Sequence, residues 1–350
     1  VRYTLFGRTG LRVSELCLGT MTFGEDWGWG APKETAARIL SSYAAAGGNF
    51  LDTADIYTAG TSESMLGELL AGRRDEFVLA TKYTNATDDA DVNASGNHRK
   101  NLVTSLEASL RRLRTDYVDV YWVHARDVWT PVEEVMRALD DQVRAGKVRY
   151  VAVSDWSAWE ISRANTVAEL RGWTPFSGVQ LRYSLLERTP ERELLPMARA
   201  FDLAVLTWGS LAEGRLTGKY LRGEGGRLDV ANWAGDRDRD EVIVREVVRI
   251  AEEGGWSPAR VALAWLRARS GTVVPILGVT TEDQLRDNLA ALDVRLDEDQ
   301  LARLDAVSGT DLGFPQDFLG RPEIVEVVYG RRWREVDDRR GTDRRTPLTG

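Results

Sequence analysis

The sequence is poor in the residues that build metal centres and covalent cross-links. Its 350 residues include one cysteine, Cys17, and two histidines, His98 and His124. A single thiol forms neither an internal disulfide nor a thiolate metal site, a usage that suits a reducing compartment. Two histidines argue against a multi-histidine centre, so no metal is expected. Apolar runs are short, and none approaches the roughly 18 residues that a membrane span requires. The first residues do not read as a secretory leader, because Arg2, Arg8 and Arg12 interrupt the apolar positions. The expectation is a cytoplasmic chain without a membrane partner. The glycosylation-like triplets Asn85-Ala-Thr87 and Asn93-Ala-Ser95 then read as coincidence. An excess of positive charge is also absent: 46 Lys and Arg face 54 Asp and Glu, for a net charge of −8. That balance offers no broad footprint for nucleic acid.

What the chain does have is a rhythm. Apolar residues make up 43% of it, enough for a large core. Residues 3–6 and 11–14 read as a hairpin around a turn at 7–10. Eight short apolar runs follow, at 16–19, 50–53, 77–81, 118–124, 148–154, 179–181, 203–207 and 273–277. Helical patterns separate them near 33–46, 63–71, 99–113, 131–145, 157–170, 190–200, 237–253 with 258–269, and 281–291. The runs are rich in Val, Leu and Phe without polar alternation, as a parallel sheet buried on both faces requires. A β-then-α unit repeated eight times predicts an α/β fold, the (β/α)8 TIM barrel. A doubly wound sheet is the competing arrangement, but no G-x-G-x-x-G follows an early strand. Gly218-Lys219 suggests a phosphate loop, yet Glu213 and Tyr220 stand where that motif needs Gly and Ser or Thr. One barrel domain is expected over 1–318, with a long insertion at 209–236. Residues 319–350 are read as a partly mobile C-terminal extension, whose last 20 residues hold seven arginines against four acids.

In a barrel of this kind the reactive groups belong at the C-terminal ends of the strands. The second barrel run leads into Asp52-Thr-Ala-Asp-Ile-Tyr57, the third ends at Lys82 and the fourth at His124. Each has an ordinary structural reading: a turn cap, a packing aromatic, a strand-end charge, a satisfied histidine. Their joint occurrence on consecutive strands points to one mouth. A tyrosine hydroxyl titrates near 10, which is high for a proton donor at neutral pH. A neighbouring ammonium is expected to lower that value, a carboxylate fixes the lysine, and a histidine can orient a substrate oxygen. Together they make a general acid aimed at a carbonyl that receives a hydride. Alternatives are a nucleotide-binding regulatory subunit without catalysis and an aldolase or isomerase using Lys82 as a Schiff base.

With these residues the chain resembles the aldo-keto reductase family, over about residues 3–318. The resemblance implies that Tyr57 is the acid/base, that Asp52 and Lys82 tune it, and that His124 orients the carbonyl. It extends to residues implied to bind the cofactor. Gly19-Thr20-Met21 matches the family's first strand end, and Asp52 is implied to contribute to the cofactor site as well. Ser154-Asp155 stands where Ser-Asn usually holds the carboxamide, Gln180 matches a glutamine on the sixth strand, and Trp208 matches the aromatic under the ring. Gly209-Ser210-Leu211-Ala212 and Lys219 resemble the loop over the pyrophosphate, with Arg227 a partner for a 2′-phosphate. Gly278, Thr280, Gln284, Asp287 and Asn288 resemble the adenosine site. The implied cofactor is NADPH, with NADH as the alternative. Ser154-Asp155 and Gly313-Phe314-Pro315 are most similar to the aryl-alcohol dehydrogenase branch. Asp155 departs from the commoner Asn, because a carboxylate accepts from the carboxamide nitrogen but cannot donate to its oxygen. Trp27 and Trp29, in a glycine-flanked loop after the first run, are candidates for a substrate wall suited to flat apolar carbonyls. Trp122, Trp159 and Trp265 read as core, His98 as solvated, and the arginines of 111–114 as a solvated helix end.

Overall fold

Why the runs become strands shows in which of their residues meet the barrel axis. In a strand alternate side chains point to opposite faces. Cys17, Phe50, Val78, Ala80, Val120, Trp122, Ala152, Ala204, Leu206 and Val274 form one buried cluster on the inner face. The residues between them, such as Leu18, Leu51, Leu79, Tyr121, Val151, Val179 and Val205, form a second cluster under the helices. Both faces are apolar, so the sequence shows no alternation even though the strands have it.

The computed structural model describes residues 1–224 and 237–336. Strands β1 (Tyr3–Leu5) and β2 (Arg12–Ser14) pair antiparallel as the expected hairpin. The barrel strands are β3 (Cys17–Gly19), β4 (Phe50–Asp52), β5 (Val78–Tyr83), β6 (Val118–Val123), β7 (Val148–Ser154), β8 (Gly178–Arg182), β9 (Ala204–Trp208) and β10 (Val273–Gly278). They run parallel and close in the order β10-β3-β4-β5-β6-β7-β8-β9. All eight expected runs are strands, and the (β/α)8 barrel is the fold. The hairpin seals the bottom. Phe6 sits inside against Phe50 and Trp122 with ring centroids 5.9 and 6.2 Å apart. Gly178 must lack a side chain here, because a Cβ would lie 2.6 Å from the Phe6 ring.

Helices α1 (Lys33–Ala45), α2 (Thr61–Leu69), α3 (Arg99–Leu113), α4 (Val132–Arg144), α5 (Ala158–Arg171) and α6 (Leu194–Ala200) surround the barrel, followed by α7 (Arg237–Gly254), α8 (Pro258–Arg267) and α9 (Glu282–Leu289). α4 shows the logic: Val132, Val135, Met136 and Leu139 are buried one turn apart, while Glu133, Glu134 and Arg137 face outward. Past residue 294 the chain continues into α10 (Glu298–Ser308), started by a reciprocal capping box between Asp297 and Gln300. Arg303 of α10 pairs with Glu246 and Glu253 of α7, so this segment is fastened to the barrel. Of 319–350, Pro322–Tyr329 is helical, and 337–350 lie outside the described residues, as do 225–236. Two residue-level readings change. Trp159 is 62% exposed rather than core. His98 is half-buried rather than simply solvated: its Nδ1 accepts from the Asn101 N–H at 3.2 Å as the N-cap of α3, and its Nε2 is buried. Among the described residues no helix is long and apolar enough to cross a membrane.

Candidate functional site

Inward register sets the site. Counting up from the apolar plug, the next inward positions are Asp52 above Phe50, Lys82 above Ala80 and His124 above Trp122. The register places Asp52 beside Ala80, Lys82 beside Trp122, and Ser154 beside Gln180. Polar groups therefore begin where the plug ends, at the C-terminal mouth.

Lys82 is fully buried and its ammonium has three protons to place. It donates to Asp52 Oδ2 at 2.6 Å, to the Thr53 carbonyl at 2.8 Å and to Tyr57 Oη at 2.9 Å. Asp52 accepts with its other oxygen from Gln180 Nε2 at 3.1 Å. Since Tyr57 accepts from the lysine, its own hydroxyl proton is left for the cavity. The Tyr57 ring is carried on a tight turn in which Thr58 and Ala59 have φ of 47° and 53°. Thr58 holds that turn, donating to the Phe23 carbonyl at 2.9 Å and accepting from the Ser62 N–H at 3.1 Å. The His124 ring meets Tyr57 edge-on, with centroids 5.9 Å apart.

The electrostatics follow from burial and one cation. Burial alone would lower the Lys82 pKa, but Asp52 and then Tyr57 reverse this and hold the ammonium charged above its ordinary value. Burial pushes the Tyr57 phenol up, and Lys82 opposes that without overcoming it. The expected net lowering is thus corrected: Lys82 acts in the expected direction, while desolvation dominates. His124 is pulled down to about 3 by burial and by the Lys82 charge, so its imidazole is neutral at pH 7.

Above these groups lies a cavity of about 1220 Å³, long enough to run from Trp27, Trp29 and Tyr57 to Thr280, Gln284 and Asn288. It brings together Met21, Asp52, Tyr57, His124, Ser154, Asp155, Gln180, Trp208, Gly209, Ser210, Leu211, Lys219, Gly278, Asp287 and the residues just named. Three expected residues are not on its wall. Thr20 is buried behind it, donating through Oγ1 to the Asp52 carbonyl at 3.1 Å, because inward Gly19 puts its neighbour outward. Ala212 is buried in a left-handed turn at φ 48°. Lys82 is reached only through Asp52 and Tyr57. Arg227 lies outside the described residues.

Trp208 Nε1 donates to Asp155 Oδ1 at 3.2 Å, which places the indole beside the mouth. Asp155 has φ 52°, a conformation that Asn and Asp adopt more readily than most residues, so one backbone requirement accounts for either at this position. At the far end Gln284 accepts from the Thr280 N–H at 2.8 Å, and Asp287 accepts from Ser257 at 2.7 Å and Arg260 at 2.8 Å. The wall also holds Ile56, Asn85, Glu213, Arg222, Glu224, Ser257 and Ala259, which the sequence reading did not single out. Asn85 was named only as part of a glycosylation-like triplet, with no signal that it faces the cavity. The residues of 111–114 divide. Arg112 donates to the buried Glu63 at 2.7 Å rather than facing water only, while Arg114 pairs with Glu68 at 2.9 Å.

A nicotinamide cofactor fits this arrangement. The cavity exceeds what a small substrate alone needs. One oxygen of Asp155 is left for an amide N–H, Trp208 offers a flat face, and Lys219 supplies positive charge further along the wall, where Arg222 is paired with Glu224.

Residues 15–308 match the model of the Aldo/keto reductase family. A norsolorinic acid reductase of Emericella nidulans is 40% identical over 321 residues, covering 89% of this chain and 82% of that protein. An uncharacterized oxidoreductase of Bacillus subtilis is 39% identical over 317 residues, covering 88% and 96%. A putative aryl-alcohol dehydrogenase of Saccharomyces cerevisiae is 36% identical over 337 residues, covering 90% and 89%.

Proposed function

The chain belongs to the aldo/keto reductase family and is an oxidoreductase, and from that premise we propose that it is an NADPH-dependent reductase of aldehydes or ketones with Tyr57 as proton donor. The family generally uses NAD(P)H, and the bound nicotinamide would supply the hydride to the carbonyl carbon. Ser154, Asp155, Gln180 and Trp208 would hold the nicotinamide end, Gly209, Ser210, Leu211 and Lys219 the diphosphate, and Gly278, Thr280, Gln284 and Asn288 the adenosine. The preference for NADPH follows from the family resemblance and from Arg227 in the sequence, with NADH as the alternative.

The observation that carries this reading is the destination of the three Lys82 protons. They leave Tyr57 with one free donor, aimed at the cavity. As negative charge grows on the carbonyl oxygen, Tyr57 passes its proton there, and Lys82 stabilises the phenolate that remains. Asp52 keeps the ammonium in place. Neutral His124 orients the carbonyl oxygen through one N–H and does not compete as an acid. The same facts weigh against Lys82 as a Schiff-base nucleophile, since its amine is charged, fully buried and triply bonded.

The substrate reading rests on Trp27 and Trp29, whose rings lie 5.7 Å apart on the wall with Met21 and Ile56, a surface suited to aromatic or other apolar carbonyls. The single, buried Cys17 supports a cytoplasmic setting. A panel of carbonyls, including a nitrobenzaldehyde, assayed with NADPH and NADH tests the whole reading. Turnover with NADPH that disappears in Tyr57→Phe is expected. Tight cofactor binding without turnover of any carbonyl would favour a regulatory nucleotide-binding subunit instead.

A further inference from the structure

A neutral imidazole carries one proton on two ring nitrogens, so His124 can donate toward the cavity in only one of its two tautomers. What lies against its other nitrogen therefore matters. The Asn85 amide nitrogen lies 3.4 Å from His124 Nδ1, and both residues line the cavity.

The backbone that delivers Asn85 is strained and locked. Thr84, a buried β-branched residue, has φ 128°, a conformation such residues rarely adopt. Its Oγ1 accepts from Asn97 Nδ2 at 2.8 Å and from the His124 backbone N–H at 3.3 Å. Its carbonyl accepts from the Gly96 N–H at 2.7 Å. Asn97 is itself fully buried. It donates to the Ala125 carbonyl at 3.1 Å and exchanges hydrogen bonds of 2.9 Å with Asp127 in both directions. One asparagine thus staples the loop that bears Asn85 to the loop that bears His124. The strain at Thr84 is held by this network, and its result is that Asn85 turns back toward the imidazole.

We propose that Asn85 is a positioning residue: its side-chain amide donates to His124 Nδ1 and so fixes the tautomer that keeps the proton on Nε2 for the carbonyl oxygen. This rests on the reading of His124 as the group that orients the carbonyl. An amide is too weak an acid for Asn85 to transfer a proton to the substrate. It acts through His124, as the outer partners of functional imidazoles generally do.

Because the chain has only two histidines, the tautomer can be read directly. A His98→Asn background removes the other imidazole and keeps a good helix cap. In protein labelled with 15N-histidine, two- and three-bond 15N–1H correlations then distinguish Nε2–H from Nδ1–H at His124. The expected result is Nε2–H with Asn85 present. In Asn85→Asp the carboxylate can only accept, so the proton should move to Nδ1. In Asn85→Ala the two tautomers should mix. Reductase kcat/KM should fall about 10- to 100-fold in Asn85→Asp and less in Asn85→Ala. An unchanged Nε2–H signal in both variants overturns the proposal whatever the activity. A tautomer that moves while kcat/KM stays constant overturns the link to the carbonyl, and with it the role of His124 in the proposed reaction. Absence of any carbonyl turnover by the parent protein would defeat the functional reading alone, since the tautomer readout does not depend on it.

Discussion

Asp52 and Asp55 leave the same strand end three residues apart, and both are buried, at 2% and 3% exposure. Asp52 points into the barrel, where Lys82 and Gln180 donate to its two oxygens. Asp55 points away, toward α2 and α3, and neither of its oxygens has a partner at hydrogen-bond geometry. Its neighbours are Glu63, which accepts from Thr81 Oγ1 at 2.5 Å and from Arg112 at 2.7 Å, with Lys82, Tyr121 and the Ile56 N–H nearby. Burial, reinforced by the Glu63 charge, pushes the Asp55 carboxyl up to about 7 despite Arg112. The contrast shows what a buried carboxylate needs. Burial pushes both carboxyls up: for Asp52 the direct contacts with Lys82 and Gln180 oppose it, whereas Asp55 lacks a cation in direct contact and is left near 7.

The sharpest way to break this contrast is to remove the cation from the inner region. Lys82→Met should abolish reductase activity and cost about 3–5 kcal/mol of stability, because it strands a buried carboxylate. Turnover assays and urea denaturation would check both. A loss under about 1 kcal/mol would mean that Asp52 tolerates isolation as Asp55 does.

A smaller effect is expected from Tyr57→Phe, which keeps the Asp52–Lys82 pair and deletes only the proton donor. Its kcat should fall about 10²- to 10⁴-fold while cofactor affinity, read by fluorescence titration, stays near that of the parent. Weakened cofactor binding of the same size would instead assign Tyr57 to the cofactor's holding groups.

The outer region makes the most specific prediction, through pH, and the one with the least effect on activity. Asp55 has a higher pKa folded than unfolded, so the native state binds more protons between pH about 4 and 7. Its contribution is most favourable below the unfolded pKa and is lost as pH rises through the folded value. For a shift from 3.8 to about 7 the loss is on the order of 4 kcal/mol. Asp55→Asn should flatten this part of the stability profile and stabilise the protein at pH 8 relative to the parent, with activity changed by less than about twofold. Denaturation midpoints at pH 5 and pH 8 would measure it. An unaltered slope would show that Asp55 is ionised and that a buried water or a loop shift compensates it.

Much of this was legible before any coordinates. Period-2 parity along each run, once anchored on one inward residue, places Asp52, Lys82 and His124 on one face, and the same parity sends Thr20 outward. Reading Thr20 as a cavity residue ignored that rule. Asn85 was missed because 84–98 is a polar loop in which nothing marks one asparagine above another, and no propensity predicts a threonine at φ 128°. Trp159 shows the limit on the apolar side: residue type suggested core, but its place in the first turn of α5 leaves it exposed.

Local period and chain order carry the eightfold β/α repeat, the strand ends and therefore the identity of the residues at the mouth. What each group is worth chemically came from long-range packing. Lys82 meets Asp52 across 30 residues, and Gln180 meets Asp52 across 128. Charge state depends on such contacts and on how much water the surrounding chain excludes. Tyr57, His124 and Asp55 therefore acquired their proton affinities from packing that no local stretch of sequence encodes.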